Sequence, residues 1–336
     1  MKIAILSPVA WRTPPRHYGP WEQIASWIAE GLVELGATVT LYATADSLTK
    51  GRLRAVAPRP YAEDESLDPK VWESLHIAAL FEEADEYDLI HNHYDFLPLT
   101  YTGLIKTPVV TTIHGFSSPK IVPVYRKYNH RVHYVSISDA DRHPDLDYSA
   151  TIHHGIPVEQ FPFHGEPGRY LLFFGRIHPD KGAAEAVQLA RRVEQPLIMA
   201  GIIQDRPYFE RTVAPYLDGE QISYIGPVGP AEKGALLGGA LALLHLINFD
   251  EPFGLSVVEA MACGTPVIAC NRGSMPELIR HGETGFLLEH HEEAPAALQR
   301  LGEIRRRDCR THVEANFSVQ VMVKRYFELY RRIINK

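Results

Sequence analysis

Short apolar runs alternate with longer amphipathic segments along the whole chain. The runs, rich in β-branched and aromatic residues, predict strands at 3–7, 39–43, 89–91, 109–113 and 134–137, and a second series at 170–174, 197–200, 222–225, 242–245 and 267–269. The segments between them predict helices over 21–35, 71–84, 183–192, 231–238, 256–263, 294–306 and 319–333. Strand–helix alternation with nearly continuous apolar strands points to parallel sheets covered by helices on both faces. The series restarts near Tyr170, just after a polar stretch with proline and glycine at 162–168 that reads as a linker. The expected architecture is α/β, with two doubly wound Rossmann-like domains facing each other across a cleft. Ligands in such sheets lie beyond the carboxyl ends of the strands, so candidate chemistry is sought there.

Composition narrows the class of function. A chain of 336 residues has room for about two domains. With 45% hydrophobic and 22% charged residues it is an ordinary globular sequence, which excludes long disorder and fibrous repeats. The net charge of −7 argues against a protein that grips nucleic acid, so any bound anion needs a local site. Three cysteines without a C-x-x-C pair make a poor disulfide framework and suggest a reducing compartment, most simply the cytoplasm. The apolar run at the start is too short for a secretory signal, and the longest apolar stretch, 235–244, is too short for a transmembrane segment. Peripheral contact with a membrane stays open.

Four segments carry candidate chemistry. The string from Asp250 to Ala269, DEPFGLSVVEAMACGTPVIA, leads from a loop holding Glu251 through Phe253, Gly254 and Leu255 into a helix containing Glu259. Free N–H groups at a helix start favour an anion, and a carboxylate accepts hydrogen bonds from sugar hydroxyls. Read alone, such a glutamate is more simply an acidic first turn favoured by the helix dipole. The second segment, FFGRIHPDKG at 173–182, follows a buried strand with Gly175 and then places Arg176 and Lys181 in one loop. Two cations there suit a diphosphate, although a solvated basic loop is the plainer reading in isolation. The third, RTPPRHYGPWE at 12–22, holds Arg12, Arg16, His17 and Gly19 before a helix that starts near Pro20. It is not a dinucleotide-binding G-x-G-x-x-G pattern. The fourth puts His114 at a strand end. His91 and His93 alternate on one strand face, but without an evident third ligand no metal site is expected. The adjacent pairs His153–His154 and His290–His291 receive no role.

Taken together these segments resemble the retaining family 4 glycosyltransferases, which have the GT-B fold. The resemblance rests on F-F-G-R-x-x-x-x-K-G at 173–182 and on E-P-F-G-L-S-V-V-E-A-M-A-C-G-T-P-V-I-A at 251–269, where Glu251 and Glu259 fit the family's E-x7-E pattern. Supporting matches include G-x-x-E at 19–22, T-x-H-G at 112–115, H-G-I-P-V-E-Q-F at 154–161 and P-E-L-I-R-H-G-E-T-G-F-L at 276–287, in order along nearly the whole chain.

The resemblance implies a hexosyltransferase acting without metal or cofactor, with a nucleotide sugar as co-substrate and a hydroxyl acceptor of unidentified kind. Arg176 and Lys181 would neutralise the diphosphate beside Gly175. Glu259 would hold the ribose, and Glu251 the donor sugar, helped by backbone N–H groups of Phe253, Gly254 and Leu255. Gly226 would frame the base, Gly19 would approach the phosphates, and His114 would sit beside the transferred sugar. Arg12, Arg16 and His17 fall on the acceptor side. UDP-sugars are favoured, with GDP-mannose admissible. The expected domains are 1–164 on the acceptor side and 165–318 on the donor side, with 319–336 a helix that crosses back to the first. Tyr18 and Pro20 flank Gly19 where many relatives carry two adjacent glycines, and the first domain is short, so the acceptor is the least transferable feature. The competing readings are a nucleotide-sugar 2-epimerase of the same fold and a non-catalytic nucleotide-sugar-binding partner protein.

Overall fold

The computed structural model describes residues 1–116 and 118–335. The chain divides into two compact units, Met1–Gly155 with the segment from Val319 onward, and Ile156–Ser318.

The first unit is built on seven strands: β1 (Lys2–Leu6), β2 (Thr38–Tyr42), β3 (Arg52–Arg54), β4 (Leu89–Asn92), β5 (Val109–Ile113), β6 (Val132–Ser136) and β7 (Tyr148–Thr151). They form one parallel sheet in the order β3-β2-β1-β4-β5-β6-β7. The second unit holds β8 (Tyr170–Phe174), β9 (Leu197–Ala200), β10 (Ile222–Gly226), β11 (Ala240–His245), β12 (Val267–Cys270) and β13 (Gly285–Leu288), also parallel, in the order β10-β9-β8-β11-β12-β13. Central strands are buried on both faces, which is why they read as apolar runs; β4 and β5 are buried at every position. In each sheet the strand order reverses beside the first strand, between β1 and β4 and between β8 and β11. That reversal opens a crevice at the carboxyl ends of the strands.

Two strands escape the apolar pattern, β3 (RLR) and β7 (YSAT), whereas the further strand β13 (GFLL) is apolar but only four residues long. All lie at sheet edges, where one neighbour and partial solvent exposure relax the demand for apolar residues. The helix expected over 294–306 is only the short helix Ala294–Gln299 and a tight turn at Leu301–Glu303, and a further helix, Arg306–Asn316, begins where the expected one ends.

Arg306 explains a shift of the domain boundary. Its buried guanidinium donates to the carbonyls of His164 (2.8 Å), Ala240 (3.0 Å) and Gly238 (2.6 Å) and to Thr265 Oγ1 (2.7 Å). A buried cation needs such a full set of acceptors. His164 N–H also donates to the Cys263 carbonyl, and Arg310 donates to the carbonyl of Phe161. The stretch read as a linker therefore begins as a packed part of the second unit. The division falls at 155/156, not at 164/165.

The helix Val319–Ile334 belongs to the first unit, packed on the helix Pro20–Glu34. Its buried residues Met322, Val323, Tyr326, Leu329, Tyr330 and Ile333 recur at helical spacing on one face. Among the described residues no helix is long and apolar enough to cross a membrane.

Candidate active site

In the second unit the candidate residues gather where the sheet order reverses. The loop after β8 carries Arg176 and Lys181, and the loop after β11 carries Glu251. Backbone contacts hold these loops together. Asn248 N–H donates to the Asp180 carbonyl (2.8 Å), and the Asn248 side chain donates to the Pro179 carbonyl (3.1 Å) and to Glu185 (2.8 Å). Gly182 has φ +74°, and a β-carbon there would run into the carbonyl of Leu246, the residue just after β11. Only glycine permits that approach, and the approach brings Lys181 onto Glu251.

The Lys181 ammonium donates to Glu251 Oε2 and lies 4.5 Å from the centre of the Phe249 ring. His245 Nε2 stands 3.5 Å from the same carboxylate oxygen. Burial alone would raise the Glu251 pKa. The hydrogen bond from His245 and the charge of Lys181 outweigh it, and the value falls to about 2. Arg176 shares the loop but not this contact: it donates to Gln204 Oε1 and lies 3.6 Å from Asp180.

Gly254, at φ +98°, turns the chain into the helix Leu255–Ala262, whose first N–H groups point to where an anion is favoured. The loop before it is tied down: Ser274 Oγ donates to the Phe253 carbonyl (2.5 Å) and Ser274 N–H to the Glu251 carbonyl (3.0 Å). Glu259, buried in this helix, is held by Lys233 at 2.5 Å. The Lys233 ammonium lies 5.7 Å from the Phe174 ring and 5.9 Å from the Phe161 ring. Sequence reasoning missed Lys233. The available signal was its place as the single cation of the small, mostly apolar helix Pro230–Gly238. Gly175 and Gly226 sit at the ends of β8 and β10, joined through β9: Gly175 N–H donates to the Ala200 carbonyl (3.0 Å) and Gly201 N–H to the Gly226 carbonyl (2.9 Å).

In the first unit His114 belongs to a chain of imidazoles. Its Nε2 is 2.9 Å from His93 Nδ1, His93 Nε2 is 3.1 Å from His91 Nδ1, and His114 Nδ1 is 3.3 Å from His154 Nε2. His91 Nδ1 also meets the Tyr330 hydroxyl at 2.5 Å, and its Nε2 meets Thr112 Oγ1 at 2.7 Å. Burial keeps His91, His93 and His114 neutral by lowering their pKa values well below the usual range, and lowers His154 to about 3. With the buried Tyr330 hydroxyl donating to His91 Nδ1, that nitrogen is bare and the His91 proton sits on Nε2. The same logic passes along the chain: His93, His114 and His154 each donate from Nε2 to the next Nδ1. Both nitrogens of His114 are thus engaged by other imidazoles, and its ring stacks on Trp21 at 5.4 Å. His154, given no role above, lies in the segment just after β7, is buried, and is the far end of the chain.

The three acceptor-side candidates do not converge. Arg16 forms ion pairs with Asp46 (2.9 Å) and Glu63 (2.6 Å), Arg12 Nε donates to the Pro14 carbonyl (2.9 Å), and His17 is exposed. Gly19 is buried immediately before the helix Pro20–Glu34.

Residues 159–311 match the profile of the Glycosyl transferases group 1 family, and residues 24–143 match that of Glycosyltransferase Family 4. The chain belongs to the family 4-like glycosyltransferases. It is 34% identical over 142 residues to the D-inositol 3-phosphate glycosyltransferase of Pseudarthrobacter chlorophenolicus, a match covering 39% of this chain and 34% of that relative. The matched region thus spans about a third of the relative's length. AviGT4, a glycosyltransferase involved in avilamycin A biosynthesis, has the same fold, with a TM-score of 0.73 at 24% identity over 99% of this chain and 98% of its own. So has Alr3699/HepE of Anabaena, solved in complex with UDP, with a TM-score of 0.76 at 19% identity over 99% of this chain and 100% of its own. The fold is therefore GT-B, two Rossmann-like domains. The group 1 match contains Arg176, Lys181, Lys233, Glu251 and Glu259, so the candidate residues of the second unit fall inside the matched segment.

Proposed function

We propose that the protein is a retaining glycosyltransferase that moves a hexose from a nucleoside-diphosphate sugar to a hydroxyl acceptor. The observation that carries this reading is the meeting of Lys181 and Glu251 at the strand-order reversal of the second unit, directly before the helix Leu255–Ala262. A cation, a hydroxyl-accepting carboxylate and a helix N-terminus in one place suit a sugar diphosphate. Glu259 accepts the ribose hydroxyls while Lys233 holds its other side, and Glu251 accepts hydroxyls of the donor sugar. A uridine carrier is favoured, supported by the UDP complex of the Anabaena protein.

In the reaction the bond from the sugar's anomeric carbon to the diphosphate oxygen breaks. The acceptor oxygen bonds to the same face of that carbon and gives its proton to the departing phosphate. Negative charge grows on the diphosphate, and Lys181, Arg176 and the N–H groups at Phe253, Gly254 and Leu255 stabilise it, so the chemistry needs neither metal nor cofactor. Buried Cys263, Cys270 and Cys309, all free thiols, support action in a reducing compartment such as the cytoplasm.

The test is release of UDP from UDP-hexoses, with and without a panel of hydroxyl acceptors and with EDTA throughout. Lys181→Ala and Glu251→Ala each lower the rate at least ~100-fold, the scale of losing an electrostatic stabiliser. Near-normal turnover in both folded variants refutes the assignment. Loss of activity in EDTA that a divalent ion restores refutes the metal-free mechanism.

A further inference from the structure

The first unit holds a cavity of about 540 Å³ that the donor chemistry does not use. It opens between the loop after β1 and the turn after β4, where the strand order of the first sheet reverses. That is where an open parallel sheet receives a ligand. The rings of Trp11, Tyr18, Trp21, Tyr61, Tyr94 and Phe96 line it, with three carboxylates, Glu22, Glu73 and Asp95, among them. None of the described residues lining it is lysine or arginine.

The carboxylates are set in place. Glu73 Oε1 accepts from the Tyr61 hydroxyl (2.9 Å), and Asp95 Oδ1 accepts from the Tyr125 hydroxyl (2.7 Å). Asp95 is held at φ +24°, a costly conformation for a residue with a β-carbon, by the Asn92 side chain. That amide donates to the Asp95 carbonyl (3.1 Å) and accepts from Tyr94 N–H (2.8 Å). Such strain collects at ligand sites. Glu22, buried beside the cavity, accepts from Trp11 N–H (3.2 Å), and burial pushes its pKa up to about 7. The two arginines of the adjoining loop are turned away, Arg16 onto Asp46 and Glu63 and Arg12 onto a backbone carbonyl.

We propose that this cavity is the acceptor site and that it takes an uncharged polyhydroxylated ring, a sugar or cyclic polyol, while rejecting phosphorylated or otherwise anionic acceptors. Aromatic faces cover the apolar side of such a ring. Glu73 and Asp95 work against anions: a carboxylate accepts hydrogen bonds, so it selects hydroxyl donors and disfavours an anion, while Glu22, with its pKa raised to about 7, can also donate. Calling the bound ring an acceptor rests on the transferase reading; its binding does not.

The experiment titrates the intact protein, with and without UDP, against methyl glycosides, disaccharides and cyclic polyols, each paired with its phosphate ester. Tryptophan emission reports binding, because Trp11 and Trp21 line the cavity. Uncharged rings are expected to change the emission saturably, with the paired phosphates at least ~10-fold weaker. Trp11→Phe and Trp21→Phe identify the reporting ring, and the double variant Glu73→Gln, Asp95→Asn narrows the gap at least ~3-fold. Equal or tighter binding of the phosphates overturns the proposal, as does the absence of a saturable change with every uncharged ring. UDP binding, measured by calorimetry on the same samples, keeps the two readings apart. UDP bound without any uncharged ring removes the acceptor site and leaves the transferase. Rings bound without UDP keep the site and count against the transferase.

Discussion

Replacing Glu251 with glutamine probes the electrostatics on which the donor site depends. The side chain is 13% exposed, against Lys181 and His245. Burial would raise its pKa, but the His245 hydrogen bond and the Lys181 charge bring it to about 2, compared with 4.5 for an open chain. A carboxylate with a lower pKa folded than unfolded adds stability that is complete above the unfolded value and is lost as pH falls through the folded one. The difference corresponds to ~3 kcal/mol at neutral pH. At pH 3, close to the folded value, less than half of it remains. Denaturant unfolding followed by circular dichroism at pH 7 and pH 3 measures both. Glu251→Gln is expected to be less stable by ~3 kcal/mol at pH 7, a deficit that shrinks by ~2 kcal/mol at pH 3. Glu283→Gln, in an exposed pair with Arg280, serves as the control and changes stability by less than ~0.5 kcal/mol. A deficit equal at both pH values, or one that grows as pH falls, would refute the argument.

Lys233→Met frees Glu259 from its anchor, so the KM for the donor should rise at least ~10-fold with kcat within ~3-fold. Initial-rate kinetics decide this, and a fall in kcat at constant KM contradicts the positioning role. Gly182→Ala forces a β-carbon into the Leu246 carbonyl and should cost at least ~2 kcal/mol in denaturant unfolding. A variant as stable as the parent would show that the two loops are not in obligatory contact. In Tyr330→Phe the donor that fixes the His91 tautomer is gone. Nitrogen-15 NMR of the imidazoles should change from uniform Nε2–H forms of His91, His93 and His114 to mixtures, and unchanged signals would remove Tyr330 from control of the chain.

Much of this protein follows from local sequence. The strand–helix alternation, the parallel sheets and the two loops bearing Arg176–Lys181 and Glu251–Glu259 are legible because burial on both faces and helix starts leave patterns a few residues long. Edge strands such as β3 and β7 leave no such trace, since half of their surroundings is solvent. What tertiary structure alone decided are the partnerships between distant positions. Lys233 meets Glu259, Tyr330 meets His91, and Arg306 gathers the carbonyls of His164, Gly238 and Ala240. The basic loop at 12–17 illustrates the difference: Arg12, Arg16 and His17 read as acceptor-side residues, but Asp46 and Glu63 take up Arg16, and the neighbouring cavity is lined by rings and carboxylates. The charge of a side chain is written in the sequence. Whether that charge is available to a ligand depends on which counter-charge the fold brings beside it, because close opposite charges satisfy one another first.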